Sequence, residues 1–354
     1  MSEEKIPVLV TGAAGFTGQH QVKYLLSCTD PKYEVIGTDL KKPTDPHYPP
    51  IPFLEKDITK SDDLYAKDFQ EILEPAKVIF HPAGLFNYSA PPQKLLQVNV
   101  LGTQNLFNAI LRSRRPVLES SPKEANPRVI VWGAAGIFGH FDHLARLPAT
   151  EDMLPKTDNP YLLSKWLQER EALNYWEDHG IPVTVIRPSA IYGPGSNYGM
   201  ALSILLIGRG ILPPMTVGNG KNHAGLVHVE DVVRAAEFLS RHSKAVGEVF
   251  QVTDDGNYTI ENITRCIAHG FGLPFISWLK IPPFVLHKIV DWANKKSKKL
   301  GVNTALDHQL VDLITTNSWI SNEKLKSFGY EFKYPDSLDG LRQTIAWYKE
   351  EKWV

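Results

Sequence analysis

The feature that most constrains this chain is a turn. The apolar run Val8–Thr11 passes directly into Gly12-Ala-Ala-Gly15-Phe16-Thr17-Gly18, and helical periodicity begins at once. Glycine at the first position permits a tight turn, and at the second it lets backbone N–H groups approach a pyrophosphate. At the third it lets the helix lie close on its strand, while the helix N-terminus favours negative charge. Gly12, Gly15, Phe16, Thr17 and Gly18 are therefore the expected cradle for a dinucleotide. A glycine pattern alone is weak evidence, so the segments that follow decide.

Those segments alternate. Ile6–Thr11, Glu34–Asp39, Lys77–Pro82, Arg128–Ala134 and Pro182–Arg187 are apolar runs too short for helices and bounded by turn-forming residues. Between them Phe16–Cys28, Gln93–Arg112 and Pro160–His179 carry apolar residues at three- and four-residue spacing. Strand and helix in alternation give an α/β fold with a doubly wound parallel sheet, whose ligands bind at the carboxyl ends of the strands where the strand order reverses. Glu119–Pro127 reads as a solvated insertion. After Arg187 the alternation gives way to Gly- and Pro-rich loops, a returning strand at Glu248–Thr253 and several helices. The expected division is thus 1–187 for the nucleotide-binding domain, completed by about 226–256, with 188–354 mainly a smaller substrate-binding lobe.

Asp39 closes the second strand, where a carboxylate accepts hydrogen bonds from both adenosine ribose hydroxyls and repels a 2′-phosphate. NAD is favoured on that ground; Lys41 and Lys42 just beyond keep NADP in play. Asp57 with Ile58 is positioned for the adenine edge, and Ala83-Gly84 leaves room for the cofactor at the fourth strand; all four also fit plain strand-end roles. Tyr161 and Lys165 lie four residues apart on a helical stretch, hence on one face, and an ammonium beside a phenol favours the phenolate for proton transfer.

Composition excludes several alternatives. With 38 Lys+Arg against 39 Asp+Glu the chain has no basic field to attract nucleic acid. Cys28 and Cys266 form neither a disulfide framework nor a zinc spacing, and a reducing setting is expected. The start of the chain lacks a signal-peptide pattern, and no apolar stretch reaches the roughly 20 residues that span a bilayer. His223, His228, His287 and His308 are too scattered for a metal site, and no metal is expected. The location expected is cytoplasmic. Phe284–Lys299, with Trp292 and a lysine-rich end, reads first as an ordinary helix that closes the cleft and second as a peripheral contact with a membrane.

Glycine loop, Asp39, Asn99 within VNVLGT and the YLLSK helix together, in that order, resemble the extended short-chain dehydrogenase/reductase family over nearly the whole chain. That resemblance implies a Rossmann sheet, Tyr161 as proton donor or acceptor, Lys165 supporting it and binding the nicotinamide ribose, and Asn99 positioning Lys165 through water. It makes Arg187-Pro188-Ser189-Ala-Ile191 the nicotinamide-side loop. The segments Val217-Gly-Asn-Gly-Lys-Asn222, Val227-His-Val-Glu-Asp231, IPPFVLHKIVDWANKKSKKLG and SNEKLKSFGYEF resemble the 3β-hydroxysteroid and sterol-carboxylate dehydrogenase branch.

One position departs from the pattern. The fifth strand of that family ends in a serine that binds the reacting oxygen, and Ala134 stands there in this chain. Loss of such a donor costs on the order of 10²–10³ in rate. Asn87, Tyr88 or Ser89, beyond the fourth strand, is the expected replacement, with His140 a weaker candidate; all of them also fit solvated loop positions.

Three readings follow. The leading one is an NAD(P)-dependent oxidoreductase interconverting a secondary alcohol and a ketone on an apolar, steroid-like small molecule. The second is a nucleotide-sugar epimerase or dehydratase with tightly bound NAD, with Arg209 and Lys221 available to a diphosphate. The third is an NAD-binding protein with weakened catalysis. A homodimer is expected, through the helices at Gln93–Arg112 and Pro160–His179.

Overall fold

Valine- and isoleucine-rich runs of four to seven residues, buried on both faces, form the strands of the first part of the chain. The computed structural model describes residues 5–118, 126–139, 147–157, 159–300 and 308–354. In order these form β1 (Ile6–Thr11), α1 (Phe16–Ser27), β2 (Tyr33–Asp39), β3 (Phe53–Glu55), α2 (Ser61–Tyr65), α3 (Lys67–Leu73), β4 (Val78–His81) and α4 (Pro92–Leu95). A π-helical turn, Leu96–Leu101, then leads into α5 (Gly102–Leu118), β5 (Arg128–Trp132), α6 (Pro160–His179) and β6 (Val183–Pro188). Next come β7 (Ala190–Tyr192), α7 (Met200–Gly208), β8 (Met215–Val217), β9 (Leu226–His228), α8 (Val229–Ser240) and β10 (Val249–Val252). The chain finishes with α9 (Ile260–Gly270), β11 (Ile276–Ile281), α10 (Pro283–Leu300), α11 (His308–Thr315), α12 (Glu323–Ser327) and α13 (Ser337–Glu350).

The main sheet has seven strands in the order β10-β6-β5-β4-β1-β2-β3, with every pairing from β3 across to β6 parallel. Strand order reverses at β1, whose neighbours are β2 and β4, so the doubly wound α/β arrangement expected from the alternation is present. By packing, the chain separates into two compact units. The first takes Met1–Gly139, Thr157–Pro188 and Val232–Phe250; the second takes His140–Lys156, Ser189–Asp231 and Gln251–Val354. Among the described residues, 147–156 group with the second unit and 232–250 with the first.

In the first unit Leu9, Ile79, Val129, Val131, Val183 and Val185 meet Leu106, Phe107 and Ile110 of α5 and Ala172 and Leu173 of α6 in one buried cluster. In the second unit α7, α9 and α13 share a core of Ile204, Leu205, Ile263, Ile267, Leu341 and Tyr348. There β7 pairs with β9 and β8 with β11, both parallel. Trp278, Phe284 and Trp292 are exposed, and no helix among the described residues is long and apolar enough to cross a membrane.

Helix α6 begins where its sequence requires. Proline occupies the first helical position, and the Asn159 side chain accepts from the amides of Tyr161 (3.0 Å) and Leu162 (3.2 Å). It ends at Gly180, whose φ of 66° is left-handed. Between these caps α6 buries a charge. Glu169 receives a two-pronged contact from Arg187 of β6, Nε to Oε2 at 2.8 Å and Nη2 to Oε1 at 2.6 Å, both residues being buried. A Cβ at Gly133 would stand 3.1 Å from Glu169 Oε2 and 3.3 Å from Arg187 Cγ, so the end of β5 is shaped to this pair.

Removing one member of a buried pair strands the other charge. Glu169→Met is therefore expected to destabilise the protein by about 3–5 kcal/mol, and Glu169→Met with Arg187→Met to recover most of that loss. Urea unfolding followed by β6 amide protection checks this; a double variant as unstable as the sum of the singles overturns it.

Candidate active site

The reversal point of the sheet brings the end of β1 beside the end of β4. Gly12 follows β1 with φ of +63°, and a Cβ on it would stand 2.7 Å from the Cα of Ala83. A Cβ on Gly18 would lie 2.0 Å from the Gly12 carbonyl oxygen. Only hydrogen fits at either place, and the two strand ends close on one another because of it. Gly15 is the exposed N-cap of α1, and Phe16 and Thr17 begin that helix.

Asp39, the last residue of β2, is tied into this turn: its Oδ2 accepts from the Ala14 N–H at 3.0 Å and its Oδ1 from the Leu40 N–H at 2.7 Å. Burial raises its carboxyl above the usual range, opposed by these backbone bonds. Sequence reasoning missed Tyr48. Its hydroxyl is buried with no hydrogen-bond partner among the described residues, and burial with the charge of Asp39 pushes the phenol up to about 12. Asp57 turns on its own loop, its Oδ1 accepting from the amide (2.9 Å) and hydroxyl (2.7 Å) of Thr59. The Ile58 side chain packs on the first-unit core, and its carbonyl accepts from Asn105 Nδ2 at 2.9 Å.

Residues 83–89 run on from β4. Ala83 is buried against Gly12, while Gly84 is exposed, and a Cβ there would stand 3.1 Å from Asn99 Oδ1 and 3.5 Å from Lys165 Nζ. Asn87 folds back on its loop, its Oδ1 accepting from the Ser89 N–H at 2.9 Å, and both residues are exposed. Tyr88 is half-buried, and its ring lies 4.9 Å from that of Tyr161, edge-on. Phe86, which the sequence did not single out, completes a triangle, 5.1 Å from Tyr161 and 5.3 Å from Tyr88. Ala134 is extended at the entry to a short 3₁₀ turn and offers no side-chain donor. Of the four expected replacements, Tyr88 is thus set against Tyr161; His140 lies outside the described residues.

Asn99 sits within the π turn and is fully buried. Its Oδ1 accepts from the Leu85 N–H at 2.7 Å and its Nδ2 donates to Ser164 Oγ at 2.8 Å, which in turn donates to the Tyr161 carbonyl at 2.7 Å. Asn99 therefore fixes the β4 loop to the first turn of α6. Lys165, one turn beyond Tyr161, is buried, and its Nζ donates to Gln168 Oε1. Burial lowers its ammonium to about 7, with Glu169 opposing. Gln168 Nε2 donates to Thr103 Oγ1 at 2.9 Å, and His81 bridges Thr103 (3.0 Å) and Thr11 (2.7 Å). Burial, with the charge of Lys165, holds His81 down to about 3.

All of these residues belong to the first unit, as does Pro188 at the end of β6. Ser189 and Ile191 fall in the second: the Ser189 N–H donates to the Val252 carbonyl at 3.0 Å, and Ile191 pairs with Val227. In that unit Arg209 Nε donates to the Trp353 carbonyl at 2.9 Å, and Lys221 is exposed. The first unit fits a dinucleotide on its own observations: a turn that admits no side chain, a carboxylate fixed at the next strand end, an orphaned phenol beside it, and a glycine facing Asn99 and Lys165.

The profile of the NAD dependent epimerase/dehydratase family matches residues 8–253. Bovine (Bos taurus) sterol-4-alpha-carboxylate 3-dehydrogenase, decarboxylating, is 30% identical over 254 residues, 70% of this chain and 64% of that protein. The match thus spans less than two thirds of that relative's length. The dTDP-glucose 4,6-dehydratase of Streptomyces antibioticus is 26% identical over 98% of this chain and 93% of that protein. The crystal structure of UDP-glucose 4-epimerase with UDP-glucose from Thermotoga maritima shares the fold, with a TM-score of 0.75 at 21% identity, covering 98% of this chain and 99% of that one.

His81 gives the site a pH signature. Its folded value, about 3, lies below the ordinary 6.5, so the unfolded chain takes up the proton first as pH falls. The stability His81 contributes is complete above pH 6.5 and is lost on acidification toward about 3. Between pH 6.5 and 4.5 the native protein is expected to lose about 2–3 kcal/mol more than His81→Gln does, measured by urea unfolding; parallel curves would falsify the assignment.

Proposed function

This chain belongs to the NAD dependent epimerase/dehydratase family, and we propose that it is an NAD(P)-dependent oxidoreductase, with NAD favoured, interconverting a secondary alcohol and a ketone on an apolar, steroid-like 3-hydroxy or 3-oxo substrate. The observation that carries this is Tyr161, one helical turn from a buried lysine amine and walled by the rings of Phe86 and Tyr88. NAD, when bound, accepts or supplies the hydride.

The protein supplies the proton chemistry. The Tyr161 hydroxyl takes or gives the substrate hydroxyl proton, and the Lys165 ammonium favours its phenolate. Because Lys165 is lowered to about 7 by burial, a negative charge developing on Tyr161 strengthens its hold on its proton, and the two ionisations support each other. The aromatic wall suits a hydrocarbon ring better than a sugar. Tyr88 supplies the hydrogen bond to the reacting oxygen for which Ala134 has no group.

A second reading, a nucleotide-sugar dehydratase or epimerase, draws support from the extent of likeness to the Streptomyces dehydratase, 98% of this chain. Absorbance at 340 nm with a 3β-hydroxysteroid and NAD separates the two: net NADH formation supports the first, and conversion of a dTDP- or UDP-hexose without net NADH supports the second. Tyr161→Phe is expected to lower turnover by about 10²–10⁴. Tyr88→Phe should lower it by about 10²–10³, restored in part by Ala134→Ser, with Asn87→Ala near the native rate. Full activity in Tyr88→Phe removes Tyr88 from the mechanism.

The chain is also proposed to form a homodimer through the α4–α5 segment and α6, where Leu96, Leu101, Leu163 and Leu167 are exposed. Light scattering is expected to give twice the chain mass for the native protein and a folded monomer for Leu163→Lys with Leu167→Lys. A native monomer at micromolar concentration rules the dimer out.

A further inference from the structure

We infer that Gln168, Thr103 and His81 form a positioning chain for the Lys165 amine, each member fixing the hydrogen-bond polarity of the next from the end of β1 to α6. The inference rests on the reading of Lys165 as part of the active site. Five buried side chains are involved, Thr11, His81, Thr103, Gln168 and Lys165, contributed by β1, β4, α5 and α6.

The polarity can be followed atom by atom. Thr103 Oγ1 donates its one proton to the Asn99 carbonyl at 2.7 Å. Toward its other partners it therefore only accepts, from Gln168 Nε2 at 2.9 Å and from His81 Nε2 at 3.0 Å. The His81 proton thus sits on Nε2, and Nδ1 accepts from the Thr11 hydroxyl at 2.7 Å. Gln168 has one allowed orientation. Its amide nitrogen must face Thr103, which leaves its oxygen for the Lys165 amine. A flipped carboxamide would set oxygen against an oxygen with no proton to give, and N–H against N–H at Lys165.

The resemblance assigns the positioning of Lys165 to Asn99 through water; here the Asn99 side chain bonds Leu85 and Ser164, and its carbonyl accepts from Thr103. The direct partner of the amine is Gln168. Among the described residues, the groups whose charge is coupled to Lys165 include Glu169 and His81, and Tyr161 lies one turn earlier on the same helix. Glu169, paired with Arg187, favours the ammonium through its charge, and burial keeps His81 neutral, while the acceptor oxygen of Gln168 gives the amine its direct hydrogen bond.

The test is NMR titration of the full chain labelled with ¹³Cε-lysine, without substrate, the Lys165 signal being identified by its absence in Lys165→Arg. In Gln168→Leu, and less strongly in Thr103→Val, the titration of Lys165 should move down by about one pH unit or more; in Gln168→Glu it should move up by a similar amount. Gln168→Glu keeps the shape of the chain and decides the matter where the apolar variants fail to fold. An unmoved titration in folded Gln168→Leu, or in Gln168→Glu, overturns the inference. A moved titration combined with full turnover in Tyr161→Phe leaves the chain standing and removes the reading of the active site on which its purpose rests.

Discussion

The buried charges of α6 hold the rest of this architecture in place. Three ionisable side chains on one helix face, Tyr161, Lys165 and Glu169, repeat every four residues and point into protein. Burying a charge is costly unless it is paired and hydrogen-bonded, and each is handled by a different neighbour. Glu169 is matched by Arg187 of β6, which fixes the depth of the helix against the sheet. Lys165 faces a carboxamide oriented by β4 and α5, which fixes its rotation. The Tyr161 ring meets the rings of Phe86 and Tyr88 edge-on. Glycine at 133 follows from the same row, since a side chain there would press on the ion pair.

Much of the frame was legible in the sequence because strands buried on both faces leave unbroken apolar runs. Ile6–Thr11 and Pro160–His179 have the same limits in sequence and structure, and the other expected strands differ by one or two residues at an end. Three-residue β3 carries too short a pattern to be seen, and Gln93–Arg112 reads as one helix although its backbone passes through a π turn at Leu96–Leu101. No residue type marks that turn, yet it carries Asn99 on its inner side. The glycine loop, Asp39 and the Tyr161–Lys165 spacing are local signals and were visible. The partners of Lys165 were not, because His81, Thr103 and Gln168 are brought together across 22 and 65 residues. The one available hint was a histidine closing the apolar run Val78–His81.

Ala134 shows how a single missing group is read differently once neighbours are known. In the sequence it is a lost hydroxyl with several loop residues as equal substitutes. In the structure Asn87 and Ser89 are bound to one another across a turn, whereas Tyr88 stacks edge-on to the ring of Tyr161. A phenol on a loop differs from a serine at a strand end in reach and stiffness, and it brings an apolar face with it. In the function proposed above, exchanging one for the other would make the pocket wall more aromatic, a change that favours substrates with little polar surface.

The positioning chain also bears on how two parts of the site are kept in register. Thr11 is the last residue of β1 and the immediate predecessor of Gly12, and its hydroxyl holds His81 at the end of β4. Gly12 itself closes on Ala83, two residues beyond His81. Backbone contact and side-chain contact therefore join the same two strand ends from both sides. Thr11, beside the glycine turn, and the Lys165 amine are joined through three buried residues, His81, Thr103 and Gln168. A close-packed polar path of that kind has few alternative arrangements, since each member has one donor–acceptor assignment that satisfies its neighbours.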